Sequence, residues 1–282
     1  MASPRPTYDG PSPVPFGAAA LHLWGDAESG EVADRIYVSN ERIHHLVFGL
    51  APGRAFRHSD ANRTVFAADE VLYVRSGTMV ISNPEIGEVH RIDAGEAVFF
   101  RRDTWHHAVA FGSRPLRVVE FFAPPPATGA SSAYARTKGL LAESRYRDDR
   151  FAGAWPMQRP QRDAVRTLVP ARGDDDLLWE LLDLDGGALA GLYCGTEHLT
   201  AGRIHVRSGG RTGVRMHDGD LVLHVLVGPL NLLLPDGDGP EGQRWFELGP
   251  DDGFFLPGGH RYELHNITGS EASTLFAIGS GK

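Results

Sequence analysis

The chain has 282 residues, of which 41% are hydrophobic and 23% are charged, and its formal net charge is −8. These values are typical of a globular protein of about two domains, and the negative charge disfavours a nucleic acid or an anionic membrane as partner, because both attract clusters of Lys and Arg. The single cysteine, Cys194, excludes a disulfide within the chain and a cysteine-based zinc site.

Residues 1–20 are predicted to form an amino-terminal arm, either mobile or docked as a strand on a neighbouring surface. Its proline-rich start, Met1 to Pro15, lacks a basic region followed by an apolar one, so no secretory signal is expected. No apolar run reaches the roughly 20 residues that a membrane-spanning helix needs. We therefore expect a cytoplasmic protein.

Residues 21–125 are predicted to form a first all-β unit. Short runs rich in Val, Phe, Tyr and Ile are separated by Gly, Pro, Asn or Asp, which is typical of a sandwich or a barrel. The connecting segment 126–176 includes a predicted short helix, Ser131 to Tyr146, and is otherwise rich in Arg, Asp and Pro. Strand-like runs return in residues 177–282, which are predicted to form a second all-β unit.

The two β units resemble each other at a constant offset of 156 residues. The matches include Leu21 with Leu177, Gly53 with Gly209 and Phe99 with Phe255. Such an offset indicates a duplicated unit of about 100 residues or more. Near Gly77 and Gly228 the offset falls to 151. This predicts an insertion between His58 and Glu70 in the first copy and a compensating one near Leu234–Gln243 in the second.

Only the first copy has the side chains that a metal ion would need. His58 and Asp60 are spaced so that both face one side of a strand. Glu70 opens the apolar run Glu70 to Val74, and His106 ends the stretch that begins at Gly95. Two histidines and a carboxylate with open positions are typical of non-haem Fe(II) sites. We predict one divalent metal per chain, Fe(II) first, with Mn, Ni, Co or Zn as alternatives.

In these motifs the chain resembles a bicupin of the cupin superfamily, whose motifs are G-x5-H-x-H-x3,4-E-x6-G and G-x5-P-x-G-x2-H-x3-N. Glu70-x6-Gly77 matches the end of the first motif, and Gly95 with His106 matches the second. The second copy matches the frame at Gly209-x5-Arg215-x-His217, and at Pro257-Gly258-Gly259 with Asn266. The resemblance implies two tandem barrels of the jelly-roll-like double-stranded β-helix type, which commonly pair as homodimers.

The chain departs from these motifs at several positions. In the first copy His58 stands one residue closer to Gly53 than the motif asks, and Asp60 replaces the second histidine. Arg101 and Asp103 replace the Pro and Gly of the second motif. In the second copy Arg215, Leu221 and Tyr262 replace three of the four expected ligands and leave only His217. We therefore expect a metal in the amino-terminal barrel only, and a structural role for the other barrel.

The resemblance implies a metal-dependent enzyme, first of all an Fe(II) dioxygenase that acts on a small aromatic or dicarbonyl acid. A metal-dependent isomerase, cyclase or lyase and a non-catalytic small-molecule-binding protein are the two alternatives. One of His44 and His45 should face inward, as a base or a hydrogen-bond donor, or simply as a packed residue. Arg101 is a candidate to bind a substrate carboxylate, or else a solvated loop residue. The expected apolar lining is Leu72, Phe99, Phe100, Trp105 and Phe121.

Overall fold

The computed structural model describes residues 3–124, 138–145 and 166–280. Within these ranges the regular structure consists of 22 β-strands and three short 3-10 helices, Phe16–Ala18, Asp174–Asp176 and Pro240–Gly242. The all-β fold class predicted from the sequence is thus confirmed. Most of the predicted helix Ser131 to Tyr146 lies outside the described residues, and its described part, 138–145, is not helical.

The strands divide into two series that follow one another along the chain. The first series is β1 (Ser12–Val14), β2 (Ala20–Asp26), β3 (Gly30–Ser39), β4 (His44–Leu50), β5 (Ala55–Phe56), β6 (Asp69–Ser76), β7 (Thr78–Asn83), β8 (Glu88–Asp93), β9 (Ala97–Phe100), β10 (His107–Ala110) and β11 (Leu116–Ala123). The second series is β12 (Leu168–Ala171), β13 (Leu178–Asp183), β14 (Ala188–Gly195), β15 (Leu199–Val206), β16 (Arg215–Met216), β17 (Asp220–Val227), β18 (Leu230–Leu233), β19 (Trp245–Leu248), β20 (Gly253–Leu256), β21 (Arg261–His265) and β22 (Ala272–Gly279).

Four antiparallel sheets result, a large and a small one in each half. The amino-terminal half has the orders β12-β9-β6-β11-β4-β3-β2 and β5-β10-β7-β8, and the carboxyl-terminal half has β1-β20-β17-β22-β15-β14-β13 and β16-β21-β18-β19. Equivalent strands keep the predicted offset: β9 and β20 begin at Ala97 and Gly253, and β11 and β22 begin at Leu116 and Ala272, both 156 residues apart. The two halves therefore repeat one topology.

Each half of the chain begins with a short strand that pairs with the large sheet of the other half. Strand β1 begins the chain but pairs with β20 in the carboxyl-terminal half, with Ser12 opposite Phe255. Strand β12 precedes the second repeat but pairs with β9 in the amino-terminal half, with Leu168 opposite Phe100. The amino-terminal arm is thus docked through a strand, one of the two alternatives that the sequence left open.

Three apolar cores stabilise this arrangement: one inside each barrel and one between the two large sheets. Alternation along β6 shows how one strand supplies two of them. Leu72 and Val74 point into the amino-terminal barrel, whereas Val71 and Tyr73 pack between the sheets. Buried apolar area is the main favourable term in folding, so the shared core stabilises the two barrels against each other.

A charged cluster borders the shared core. Asp251, in the turn before β20, accepts a hydrogen bond from Arg75 Nε at 3.0 Å and another from Arg117 Nη1 at 3.3 Å. Both arginines belong to the amino-terminal barrel, so these ion pairs join the two halves. None of the helices in the described ranges has the length and hydropathy needed to cross a membrane.

Candidate functional site in the amino-terminal barrel

A cavity of about 80 Å³ opens into the amino-terminal barrel, on the inner face of its large sheet. A single water needs at least about 10–15 Å³ on this measure, so the cavity has room for several waters or for one small organic molecule. Most of its wall is apolar and aromatic. The lining residues are Ser3, His22, Trp24, Val32, Asp34, Ile36, His44, Leu46, Phe48, Phe56, Thr64, Phe66, Glu120 and Phe122.

Glu120 faces this cavity because of its position on β11. The strand pairs with β4 and β6, so that Glu120 lies opposite Leu46 and Leu72, while Phe122 lies opposite His44 and Glu70. Residues 118, 120 and 122 therefore share the inner face. A carboxyl group in this apolar strand is costly to bury unless a polar partner or a ligand meets it.

The partner of Glu120 is Glu70, a buried residue on the neighbouring strand β6. The two side chains hydrogen-bond to each other, and burial together with the neighbouring Glu120 carboxyl raises the pKa of Glu70 well above its usual range. Burial and the charge of Asp34 raise the pKa of Glu120 to about 8, and the hydrogen bond from Glu70 works against this rise. Two carboxyl groups this close cannot both ionise at neutral pH, so the pair retains a proton.

His106 lies on the other side of Glu70. Its Nε2 is 4.0 Å from Glu70 Oε2, and its Nδ1 donates a long hydrogen bond of 3.4 Å to the carbonyl of Thr104. Burial lowers the pKa of His106 to about 4, so the imidazole is neutral at neutral pH. Glu70 Oε2 finds no hydrogen-bond partner within the described part of the chain. A protonated Glu70 therefore faces an unprotonated ring nitrogen.

Further polar groups line the cavity away from this pair. His44 contacts Ser39 Oγ through Nδ1 at 2.8 Å and stacks on Phe122, with ring centroids 4.3 Å apart. Burial lowers the pKa of His44 to about 3. His22 Nδ1 lies 3.3 Å from Asp34 Oδ2, while burial raises the pKa of Asp34. The cavity thus combines the neutral imidazole of His44 with buried carboxyl groups.

The structure brings together two of the four predicted metal ligands, Glu70 and His106. His58 is directed elsewhere: its Nδ1 lies 2.8 Å from His107 Nε2, and its Nε2 lies 3.0 Å from the carbonyl of Leu141. Asp60 is exposed to solvent. The i, i+2 rule that places both residues on one face requires a strand, but β5 ends at Phe56 and both follow it.

The residues present do not complete a metal site. Within residues 3–124, 138–145 and 166–280, no three His, Cys, Asp or Glu side chains are arranged to hold a metal ion. Glu70 and His106 supply one carboxylate and one imidazole, whereas a non-haem iron site uses two imidazoles and a carboxylate. The geometry fits a buried acid–base cluster better than it fits the expected cation.

Of the three predicted catalytic residues, only His44 reaches the cavity. His45 points to the opposite face of β4, where its ring stacks on Tyr37 and its Nε2 lies 3.3 Å from His224 Nδ1. Arg101 follows the end of β9 and pairs with Asp69 and Glu197 outside the barrel interior. None of the five predicted apolar lining residues is among those that line the cavity.

Sequence reasoning missed Glu120, Asp34, His22 and Trp24. Glu120 left a usable signal, because it is the one acidic residue in the predicted strand Leu116–Phe122 and lies two positions from Phe122. A charged residue on the inner face of an apolar strand is a candidate for function. Asp34 and His22 carried a similar signal, because Asp34 lies between Val32 and Ile36 on one face of its strand and His22 lies between Ala20 and Trp24.

The carboxyl-terminal barrel has no comparable pair at the equivalent positions. His217 Nε2 hydrogen-bonds to the hydroxyl of Tyr262 at 3.0 Å, and Leu221 packs in the apolar core. Arg215 donates to the carbonyl of Leu182. These contacts support the proposal that this barrel is structural.

Comparison with known proteins establishes the fold. A scan of protein-family models and a search of curated proteins give no match. Many solved structures are similar. One is a Pseudomonas aeruginosa protein named as glyoxylate-induced, with a TM-score of 0.66 and 13% identity over 100% of this chain and 93% of that one. Another is AerE from Microcystis aeruginosa, with a TM-score of 0.60 and 9% identity over 93% of this chain and 98% of that one. A third is Bacillus subtilis oxalate decarboxylase OxdC, with a TM-score of 0.61 and 10% identity over 98% of this chain and 77% of that one. At these identities the likeness shows the fold alone. The expected fold class, all-β with two tandem β units, is confirmed.

Proposed function

We propose that the amino-terminal barrel binds a small organic molecule and transfers protons on it, as an isomerase, cyclase or lyase does. The observation that supports this proposal is the position of Glu120. Its carboxyl group faces the cavity, is backed by the buried carboxyl of Glu70, and has a pKa of about 8. Acid–base catalysts work best when their pKa lies near the working pH.

Each group has a distinct role in this proposal. Glu120 touches the ligand and exchanges a proton with it. Glu70 positions Glu120 through their hydrogen bond and retains the proton that the pair shares. Neutral His106 lies 4.0 Å from Glu70 and, with a pKa of about 4, leaves the proton on the carboxyl pair. The apolar wall excludes water, which strengthens the electrostatic interactions between these groups and the ligand.

Exchange of carbon-bound hydrogen with solvent tests the proposal. The full-length protein is incubated in D2O with a panel of small amines, ketones and hydroxy compounds, and deuterium incorporation is followed by NMR. Glu120→Gln should lower the exchange rate by about 100-fold or more, the usual contribution of a general acid or base. Glu247→Gln, an exposed substitution in the other barrel, is the matched control. Exchange at the wild-type rate in Glu120→Gln would refute the proposal.

The Fe(II) dioxygenase expected from the resemblance is a second candidate. The unpartnered Glu70 Oε2, 4.0 Å from His106 Nε2, favours it. It requires His58 to leave His107 and the carbonyl of Leu141. Elemental analysis of protein expressed without added metal tests this candidate. Stoichiometric metal that disappears in His106→Ala supports it, whereas active protein without metal contradicts it.

A homodimer remains part of the proposal. Strands β2 and β13 are the last strands in the two large sheets, and Leu21, Leu23 and Leu178 on them are exposed among the described residues. Light scattering distinguishes a dimer from a monomer.

A non-catalytic small-molecule-binding role is the outcome if ligands bind in the cavity and no compound is turned over.

A further inference from the structure

The charge of the cavity wall is one-sided. Glu120 and Asp34 line the cavity, and Glu70 contacts Glu120. No Lys or Arg occurs among the described residues that line it. Arg5, whose charge acts on His44, donates to the carbonyl of Asn40. Among the described lining residues, a ligand therefore meets acidic side chains and no side chain with a permanent positive charge.

The apolar part of the wall favours the same sign of charge. Trp24 and four phenylalanines line the cavity, and Trp24 meets Phe56 edge to face with centroids 6.0 Å apart. The faces of aromatic rings carry negative potential and attract organic cations. An anion here would meet the carboxyl groups with no Lys or Arg among the described lining residues to balance its charge, which is costly where water is partly excluded.

We propose that the ligand of this cavity is a small organic cation, a primary amine attached to a compact apolar group. This inference rests on the proposed function in one respect, because it takes this cavity as the ligand site. The ammonium group would pair with the ionised carboxyl groups of Glu120 and Asp34 and displace the proton that Glu120 holds at neutral pH. The apolar group would pack against the rings. It replaces the aromatic or dicarbonyl acid that the resemblance implied, since Arg101 is turned away from the cavity.

Three probes of similar shape and different charge test this inference: benzylammonium, benzyl alcohol and benzoate. Their binding to the full-length protein is measured by isothermal titration calorimetry at neutral pH. Benzylammonium should bind at least about tenfold more tightly than benzyl alcohol, and benzoate should bind most weakly, because only the cation gains from the carboxyl groups.

Substitutions of the two cavity carboxyl groups test which of them binds the ammonium group. Glu120→Gln should weaken benzylammonium binding by about tenfold while changing benzyl alcohol binding little, because the alcohol makes no ion pair. Asp34→Asn provides the same comparison if Glu120→Gln fails to fold. Glu247→Gln is again the matched control and should leave all three affinities unchanged.

The inference is overturned if benzoate binds as tightly as benzylammonium, if ligand charge makes no difference, or if none of the probes binds. This outcome is separate from that of the exchange experiment. Preference for the amine without any proton exchange supports the cation site and counts against the enzyme. Proton exchange without preference for the amine supports the enzyme and overturns the cation site.

Discussion

Replacing Asp251 with asparagine removes the carboxylate that joins the two barrels. Its oxygens lie 3.0 Å from Arg75 Nε and 3.3 Å from Arg117 Nη1, and the side chain is 20% exposed. Asparagine keeps the shape and tolerates the positive φ of 69° at this position. The substitution therefore removes charge and leaves the backbone conformation accessible.

The expected stability cost of Asp251→Asn follows from the burial of Asp251 and its arginine partners. Exposed ion pairs contribute about 0.2–1 kcal/mol, whereas removing one partner of a buried pair costs about 3–5 kcal/mol. Asp251 and Arg75 are 20% and 27% exposed, which places them between these limits. We expect Asp251→Asn to lower the free energy of unfolding by about 2 kcal/mol at pH 7.

The stability that Asp251→Asn loses relative to wild type should be smaller at acidic pH. The contact with His224 and the two arginines lower the pKa of the Asp251 carboxyl below its usual range. A lowered folded-state pKa gives stability that is present above the unfolded value, about 4, and is lost as the pH falls below it. The gap between wild type and Asp251→Asn should therefore shrink from pH 7 to pH 3.

Urea denaturation, followed by tryptophan fluorescence at several pH values, measures this gap. Asp236→Asn is the matched control, because Asp236 and Arg261 form a pair whose members are each about half exposed. Its effect should stay below about 1 kcal/mol. A variant at Asp251 as stable as wild type, or a gap that is unchanged at pH 3, would show that the reasoning is wrong.

Three further outcomes are expected. Burial raises the pKa of Glu120 to about 8, so the wild-type free energy of unfolding should fall as the pH rises from about 4.5 to 8. In the same urea titrations, Glu120→Gln should make this fall with pH smaller. Phe121→Ala, in the core between the sheets, should cost about 3–5 kcal/mol, whereas the exposed Phe111→Ala should cost less than about 0.5 kcal/mol. Deleting residues 1–17 should expose the edge of β20 and give larger assemblies in light scattering than the full chain gives.

The fold was predictable because its signals are local and repeated. Alternation of apolar residues indicates each strand, and the constant offset shows that one topology occurs twice. Both insertions lie between strands, after Phe56 in the first copy and after Leu233 in the second. Loops absorb such insertions at little cost, so they leave the pairing of the flanking strands intact.

The site was predictable only where a strand fixes the direction of the side chain. Glu70 lies in β6, whose alternation aims it inward, and His106 immediately precedes β10. His58 and Asp60 lie beyond β5, where no ladder of hydrogen bonds determines which face a residue takes. The Glu70–Glu120 pair depends on which strands are neighbours, which periodicity within one strand does not reveal.

The exchanged leading strands make each half of the chain dependent on the other. Adding 156 to Ser12–Val14 gives 168–170, within β12, so the two exchanged strands are equivalent members of the repeat. The connectivity is the one that two copies of the repeat would have if each paired its leading strand with the large sheet of the other. If the chain were cut between its halves, each fragment would hold the missing edge of the other, and we expect the fragments to fold fully only when mixed.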